Sequence, residues 1–220
     1  MKKILMLTTG GTIASLPSEE GLAPTGADTI LSHMGPSAAN YDITTQEILT
    51  LDSTNIQPEE WKIIAGAIYQ NIRLYDGIVV THGTDTMAYT ASMMSFMLRN
   101  VPIPVVFTGS QVPIASPLSD APLNLTCAFA MAASATPGIF VAFDRKIMLG
   151  CRSVKVRTTA FDAFESVNYP YAGVVDSSGL NLDRSVIPPQ RGECVLEDRK
   201  STRLNSSHLR IGDAGVWVKK

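Results

Sequence analysis

The stretch PEEWKIIAGAIYQNIRLYDGIVVTHGTDT, Pro58 to Thr86, decides the fold. Pro58 opens a helix at a position where its missing N–H does no harm. Trp61, Ile64, Ala65, Ile68 and Ile72 then fall on one face at helical spacing. Gly77–Thr81 follows as an unbroken, mostly β-branched run, the pattern of a strand covered on both faces. A second helix begins near Asp85 and carries Met87, Ala91, Met94 and Leu98 at helical spacing. Its methionines read as core filler rather than as a cofactor box.

The same rhythm extends in both directions. Lys3–Thr8 reads as a first strand, residues 9–26 as loop, Asp28–Met34 as a short helix and Tyr41–Leu51 as a strand. Beyond the second helix, Val105–Thr108 is another buried strand, Leu123–Ser134 a third helical stretch and Ile139–Phe143 a further strand. Strands alternating with helices predict an α/β fold, a parallel sheet with helices on both faces. No internal repeat is visible.

The chain has 220 residues, 45% of them hydrophobic and 17% charged, with a formal net charge of −2. That balance is globular. It gives no electrostatic reason to expect nucleic acid or an anionic membrane as partner. Cys127, Cys151 and Cys194 stand far apart without a CxxC pair, so a disulfide framework or zinc site is not indicated. Reduced, buried thiols are expected, which suits a cytoplasmic protein. The apolar run near the N-terminus, Ile4–Leu7, is too short for a secretory signal and reads as strand. No run reaches the length of a membrane span.

In a sheet of this kind reactive groups gather at the carboxyl ends of the strands. Thr9-Gly10-Gly11-Thr12 follows the first strand, Asp52-Ser53-Thr54 follows Tyr41–Leu51, Thr81-His82-Gly83-Thr84-Asp85 follows GIVV, and Thr108-Gly109-Ser110-Gln111 follows VVF. Four strand ends thus carry small hydroxyls, glycines or a carboxylate. No Walker A or GxGxxG pattern is present, which argues against a phosphate loop. No GxSxG, HxxxH or HExxH occurs, and of His33, His82 and His208 only His82 lies in a strand-end loop, where a packed, hydrogen-bonded role is the ordinary one. A threonine nucleophile remains. It needs a base and an oxyanion site, and glycines beside it let the backbone approach a substrate. Taken alone, Thr12 would read as a turn or helix cap.

TTGGTIAS (8–15) and VTHGTDTMAYTA (80–91) together resemble the two signature segments of the bacterial-type L-asparaginases. VVFTGSQVP (105–113), LDSTNIQPEEW (51–61) and FDAFESVNYP (161–170) agree with them. The resemblance runs from Met1 to about Pro188 and is closest to the type I, cytoplasmic branch. It implies a flavodoxin-like N-terminal catalytic domain over residues 1–190, hydrolysis of L-asparagine to L-aspartate and ammonia without cofactor or metal, and a homo-dimer or homo-tetramer. Carried over by position, Thr12 matches the nucleophile. Thr84 and Asp85 match a second catalytic threonine and its acidic neighbour, and Lys155 matches the catalytic lysine. Asp52, Ser53 and Thr54 match the loop that holds the substrate α-carboxylate. Asp85 would also receive the α-ammonium, with Thr84 beside it in the binding set. Lys155 is left as base or electrostatic partner, since burial would lower its pKa and Asp85 would raise it.

The sequence departs from the family in two places. Leu22 stands where many members carry a tyrosine in a loop after TGGT; this long loop, punctuated by Gly21, Pro24 and Gly26, reads as a lid. From residue 191 the chain reads as the start of an interdomain linker. EDRKSTRLNSSHLR (197–210) fits no family continuation and reads as translated sequencing-adapter DNA, a disordered tail on a truncated gene that lacks the family's smaller C-terminal domain. On that reading the chain alone has little or no amidase activity. Two alternatives stay open: a relative acting on glutamine or a glutaminyl group on tRNA, which would carry an extra N-terminal domain, and a non-catalytic amino-acid binder that keeps the pocket.

Overall fold

The computed structural model describes residues 1–18, 21–24 and 27–197. In chain order the elements are β1 (Lys2–Gly10), β2 (Ser15–Ser18), β3 (Gly21–Pro24), α1 (Ala27–Ser32), β4 (Tyr41–Leu51), α2 (Pro58–Asn71), β5 (Gly77–Thr81), α3 (Met87–Met97), β6 (Leu98–Arg99), β7 (Pro104–Thr108), α4 (Ala121–Ala132) and β8 (Gly138–Phe143). Short strands follow: β9 (Lys146–Leu149), β10 (Ser153–Lys155), β11 (Phe164–Ser166), β12 (Gly173–Asp176), β13 (Gly179–Leu182) and β14 (Val195–Leu196). The main sheet has eight strands in the order β13-β12-β9-β8-β7-β5-β1-β4. Its β4-β1-β5-β7-β8 half is parallel and reproduces the flavodoxin-like order.

The α/β reading is borne out, and the sheet proves mixed rather than parallel. β8 turns back into β9 antiparallel, and β12 and β13 extend that edge. The loop expected over residues 9–26 also holds structure: a short 3-10 turn, Thr12–Ala14, and an antiparallel hairpin of β2 and β3. Leu22 lies on β3, paired with Pro17; Gly26 of the expected lid, and the tail from 198 onward with His208, lie outside the described residues.

The core follows the two-residue period of the strands. Leu5 and Leu7 of β1, Val80 of β5 and Phe107 of β7 face Ile64 and Ile68 of α2 and Ala91 and Met94 of α3. The alternate residues Ile4, Met6, Val79 and Val106 face Ile30 of α1 and Leu125, Phe129 and Ala132 of α4. All of these are essentially fully buried, each side chain larger than alanine contributing about 1.5–3 kcal/mol of hydrophobic transfer. α2 starts as its sequence demands, with Pro58 in its first turn and the Glu60 carboxylate accepting the Gln57 N–H at 2.7 Å. Of the cysteines, Cys127 is buried and Cys194 partly so, but Cys151 is exposed, because it lies in a short 3-10 turn after β9 rather than in the core as expected. Among the described residues no helix is long and apolar enough to cross a membrane.

Candidate active site

The loops after β1, β4, β5 and β7 meet at the carboxyl edge of the sheet, and glycine backbones make the meeting possible. Gly11 adopts φ +84°, a conformation that disfavours any side chain, and a Cβ placed there would come within 2.5 Å of the Gly83 N and Cα. A Cβ on Gly83 would in turn come within 2.5 Å of Ser53 Oγ. TTGGT and HGTDT are therefore in backbone contact, with the Ser53 side chain of DST packed against Gly83, so Thr12 and Thr84 each follow a touching glycine by one residue. β1 is bulged just before this contact, with its register against β4 shifting between Thr8 and Gly10.

The strand-end residues divide by role. Thr9 Oγ1 donates to the Thr81 carbonyl at 2.9 Å inside the core. Thr12 begins the 3-10 turn and is only partly buried. Asp52 Oδ1 accepts the Thr54 N–H and the Thr54 hydroxyl, each at 2.9 Å, so these two side chains are engaged with each other as a cap. Ser53 is buried, and its carbonyl accepts the Thr86 hydroxyl at 2.7 Å, which ties the second loop to the third.

Lys155 arrives from β10, a three-residue strand held by β11. Its Nζ lies 2.8 Å from Thr84 Oγ1 and 2.8 Å from Asp85 Oδ1. The lysine side chain is 14% exposed and the aspartate 58%, so the pair sits at the lip of the site rather than beneath it. Thr84 is buried, and its hydroxyl donates to Gln111 Oε1 at 3.1 Å. Gln111, from the loop after β7, belongs to this cluster, yet its residue type carries no chemistry that would single it out; its one signal is its place at a strand end. Beside the pair opens a groove of about 480 Å³ whose lining includes Asp85, Tyr89, Ser153, Lys155 and Arg157. Among the described residues no group of three or more His, Cys, Asp and Glu side chains is placed to hold a metal.

His82 lies inside HGTDT but faces the core. It is fully buried against the edge of Phe107, and its Nδ1 is 2.8 Å from the Gly83 carbonyl. A carbonyl only accepts, so Nδ1 carries the proton, and Nε2 has no hydrogen-bond partner among the described residues. Burial pushes its pKa down to about 4. The native state thus keeps His82 neutral while the unfolded chain protonates it near pH 6.5. The folded pKa is the lower one, so its linked stability is present above pH 6.5 and is lost as pH falls towards 4. The loss is about 1.4 kcal/mol per pH unit, about 3 kcal/mol in all. Urea unfolding of the wild-type chain and of His82→Gln at pH 7 and at pH 4 is expected to show this extra pH dependence in the wild type only. Equal dependence in both would remove His82 as its source.

The family model described as "Asparaginase, N-terminal" matches residues 3–188. The L-asparaginase of Thermococcus kodakarensis is 54% identical over 170 residues, covering 76% of this chain and 52% of that protein. A glutamyl-tRNA(Gln) amidotransferase subunit of Methanosarcina mazei is 37% identical over 208 residues, covering 90% of this chain and 49% of that protein. Among solved structures, that of the thermostable L-asparaginase from Thermococcus kodakarensis aligns with a TM-score of 0.82 at 48% identity, over 89% of this chain and 60% of that one. The chain spans about half the length of these two curated relatives.

Proposed function

The chain belongs to the asparaginase family, and from that premise we propose that its strand-end site hydrolyses the side-chain amide of L-asparagine. Thr12 is the nucleophile. Its Oγ1 bonds to the amide carbon, the C–N bond breaks, and the amide nitrogen leaves as ammonia with the hydroxyl proton. Water then cleaves the aspartyl ester, a proton returns to Thr12 and L-aspartate is released. Lys155, with Thr84 and Asp85, supplies the charged donor that steadies this proton traffic. Asp85, more than half exposed, receives the substrate ammonium, and the Asp52-Ser53-Thr54 turn meets its carboxylate. The homo-oligomer implied by the resemblance belongs to the same proposal; it would cover Tyr89 and Phe96 on α3, which are 66% and 53% exposed.

The observation that carries the reading is the contact of one lysine nitrogen with both Thr84 and Asp85 beside the TGGT loop. A non-catalytic amino-acid binder has no use for that arrangement. Lys155→Met is expected to lower kcat for ammonia release from L-asparagine by about 10²-fold or more, with KM changed far less. Unchanged kcat would overturn the role given to Lys155, and both rates are read against the low amidase activity expected of the chain alone. L-glutamine is assayed beside L-asparagine, because one relative is named as part of a glutamyl-tRNA(Gln) amidotransferase and one methylene changes binding by only about 1–3 kcal/mol.

A further inference from the structure

We propose that Gln111 is a positioning residue that fixes the direction of the Thr84 hydroxyl proton. The inference rests on the reading of Thr84 and Lys155 as parts of the amide-hydrolysing site. Gln111 Nε2 lies 2.9 Å from the Thr158 carbonyl and 3.1 Å from the Ala160 carbonyl. Both oxygens only accept, so the amide can stand one way round, with its NH₂ towards them. Oε1 therefore faces Thr84 Oγ1, 3.1 Å away, and takes that hydroxyl's proton. Lys155 Nζ, at 2.8 Å from the same hydroxyl, donates into its lone pair. The hydrogen bonds run in one direction, from Lys155 through Thr84 and Gln111 to the two carbonyls.

Gln111 is held at its backbone as well. Its N–H lies 3.0 Å from both oxygens of Asp120, whose carboxylate also takes the Val112 N–H and the Asn124 side-chain amide. The acceptor offered to Thr84 is thereby fixed in place. A threonine hydroxyl has a single proton. While Gln111 holds it, Lys155 meets only a lone pair, so the resting site places the lysine as donor. For Lys155 to accept a proton from Thr84, the hydroxyl must first turn away from Gln111. The residue thus sets which way protons can move through Thr84, although it touches none of the reacting atoms assigned above.

Two variants of the 220-residue chain separate this role from simple latching of the 158–160 segment. Gln111→Glu keeps an acceptor towards Thr84 and loses both donations to the carbonyls; Gln111→Met keeps the length and loses everything. The first readout needs no turnover: the Thr84 hydroxyl rotamer about Cβ–Oγ1, from the three-bond NMR coupling between the buried hydroxyl proton and Hβ. A single rotamer is expected in wild type and Gln111→Glu, and rotamer averaging in Gln111→Met. The second readout is ammonia release from L-asparagine. Gln111→Met is expected to lower kcat about tenfold with KM within about twofold, and Gln111→Glu to restore most of it. A single rotamer in Gln111→Met overturns the proposal. So does Gln111→Glu behaving like Gln111→Met, or a Gln111→Met chain that fails to fold, since each assigns the residue to latching. A wild-type chain that releases too little ammonia to assay agrees with the low activity expected of the chain alone, and the rotamer comparison then decides this proposal by itself.

Discussion

Thr12→Ala is expected to lower ammonia release from L-asparagine by about 10³-fold or more, the largest effect of any single change in this chain. The substitution removes the only atom that the proposal lets bond to substrate carbon. It leaves the 3-10 turn a residue of similar size and no lost core packing, because Thr12 is partly exposed. Stability should therefore change little, which separates a chemical loss from a folding loss. Thr9→Ser serves as contrast. It keeps the hydroxyl that donates to the Thr81 carbonyl and is expected to keep activity. A Thr12→Ala chain that hydrolyses L-asparagine as fast as wild type would transfer the nucleophile elsewhere.

Gly11→Ala is expected to lower the free energy of unfolding by about 2–4 kcal/mol. Two costs combine. The residue stands at φ +84°, and its new Cβ would meet the backbone of Gly83 at 2.5 Å, where no flexible side chain can move aside. The loops after β1 and β5 would have to part, and the site would go with them. Gly66→Ala in α2 is the control: nothing lies within 4 Å of its added Cβ, and alanine favours a helix over glycine by up to about 1 kcal/mol. Urea unfolding curves of the two variants should move in opposite directions. Gly11→Ala as stable as Gly66→Ala would mean that the loops are not locked together through their glycines.

Much of the parallel half of the sheet was legible because its strands are unambiguous. Gly77–Thr81 and Pro104–Thr108 are buried at every position, so a continuous apolar run was the right signal. The antiparallel edge was not legible. β8 and β9 are joined by Asp144 and Arg145, both at positive φ (47° and 60°), and a turn of that kind built without glycine or asparagine gives no hairpin signature. β2 and β3 were hidden in a stretch of Gly, Pro and Ser that reads as loop. Their pairing comes from the backbone and from no hydrophobic alternation.

The site was half legible. Four strand ends with hydroxyls, glycines and a carboxylate were visible from sequence, and the structure brings their loops into contact. Lys155 could not have been found by composition or spacing. It lies 70 residues beyond Asp85 on a three-residue strand, and only the family resemblance pointed to it. Gln111 had no signal beyond its position, since an amide acts here through the hydrogen bonds it makes. His82 was visible as a strand-end histidine, and its complete burial explains why it belongs to the core rather than to the open site.

The central claim is that Thr12 carries the substrate acyl group, and one measurement tests it directly. The chain is mixed with L-asparagine, quenched in acid within a single turnover and mapped by peptide mass spectrometry. An aspartyl mass increment is predicted on the peptide containing Thr12, released by hydroxylamine and absent from Thr12→Ala. An aspartyl group on any other residue, or ammonia released with no adduct at Thr12 at any quench time, would contradict it.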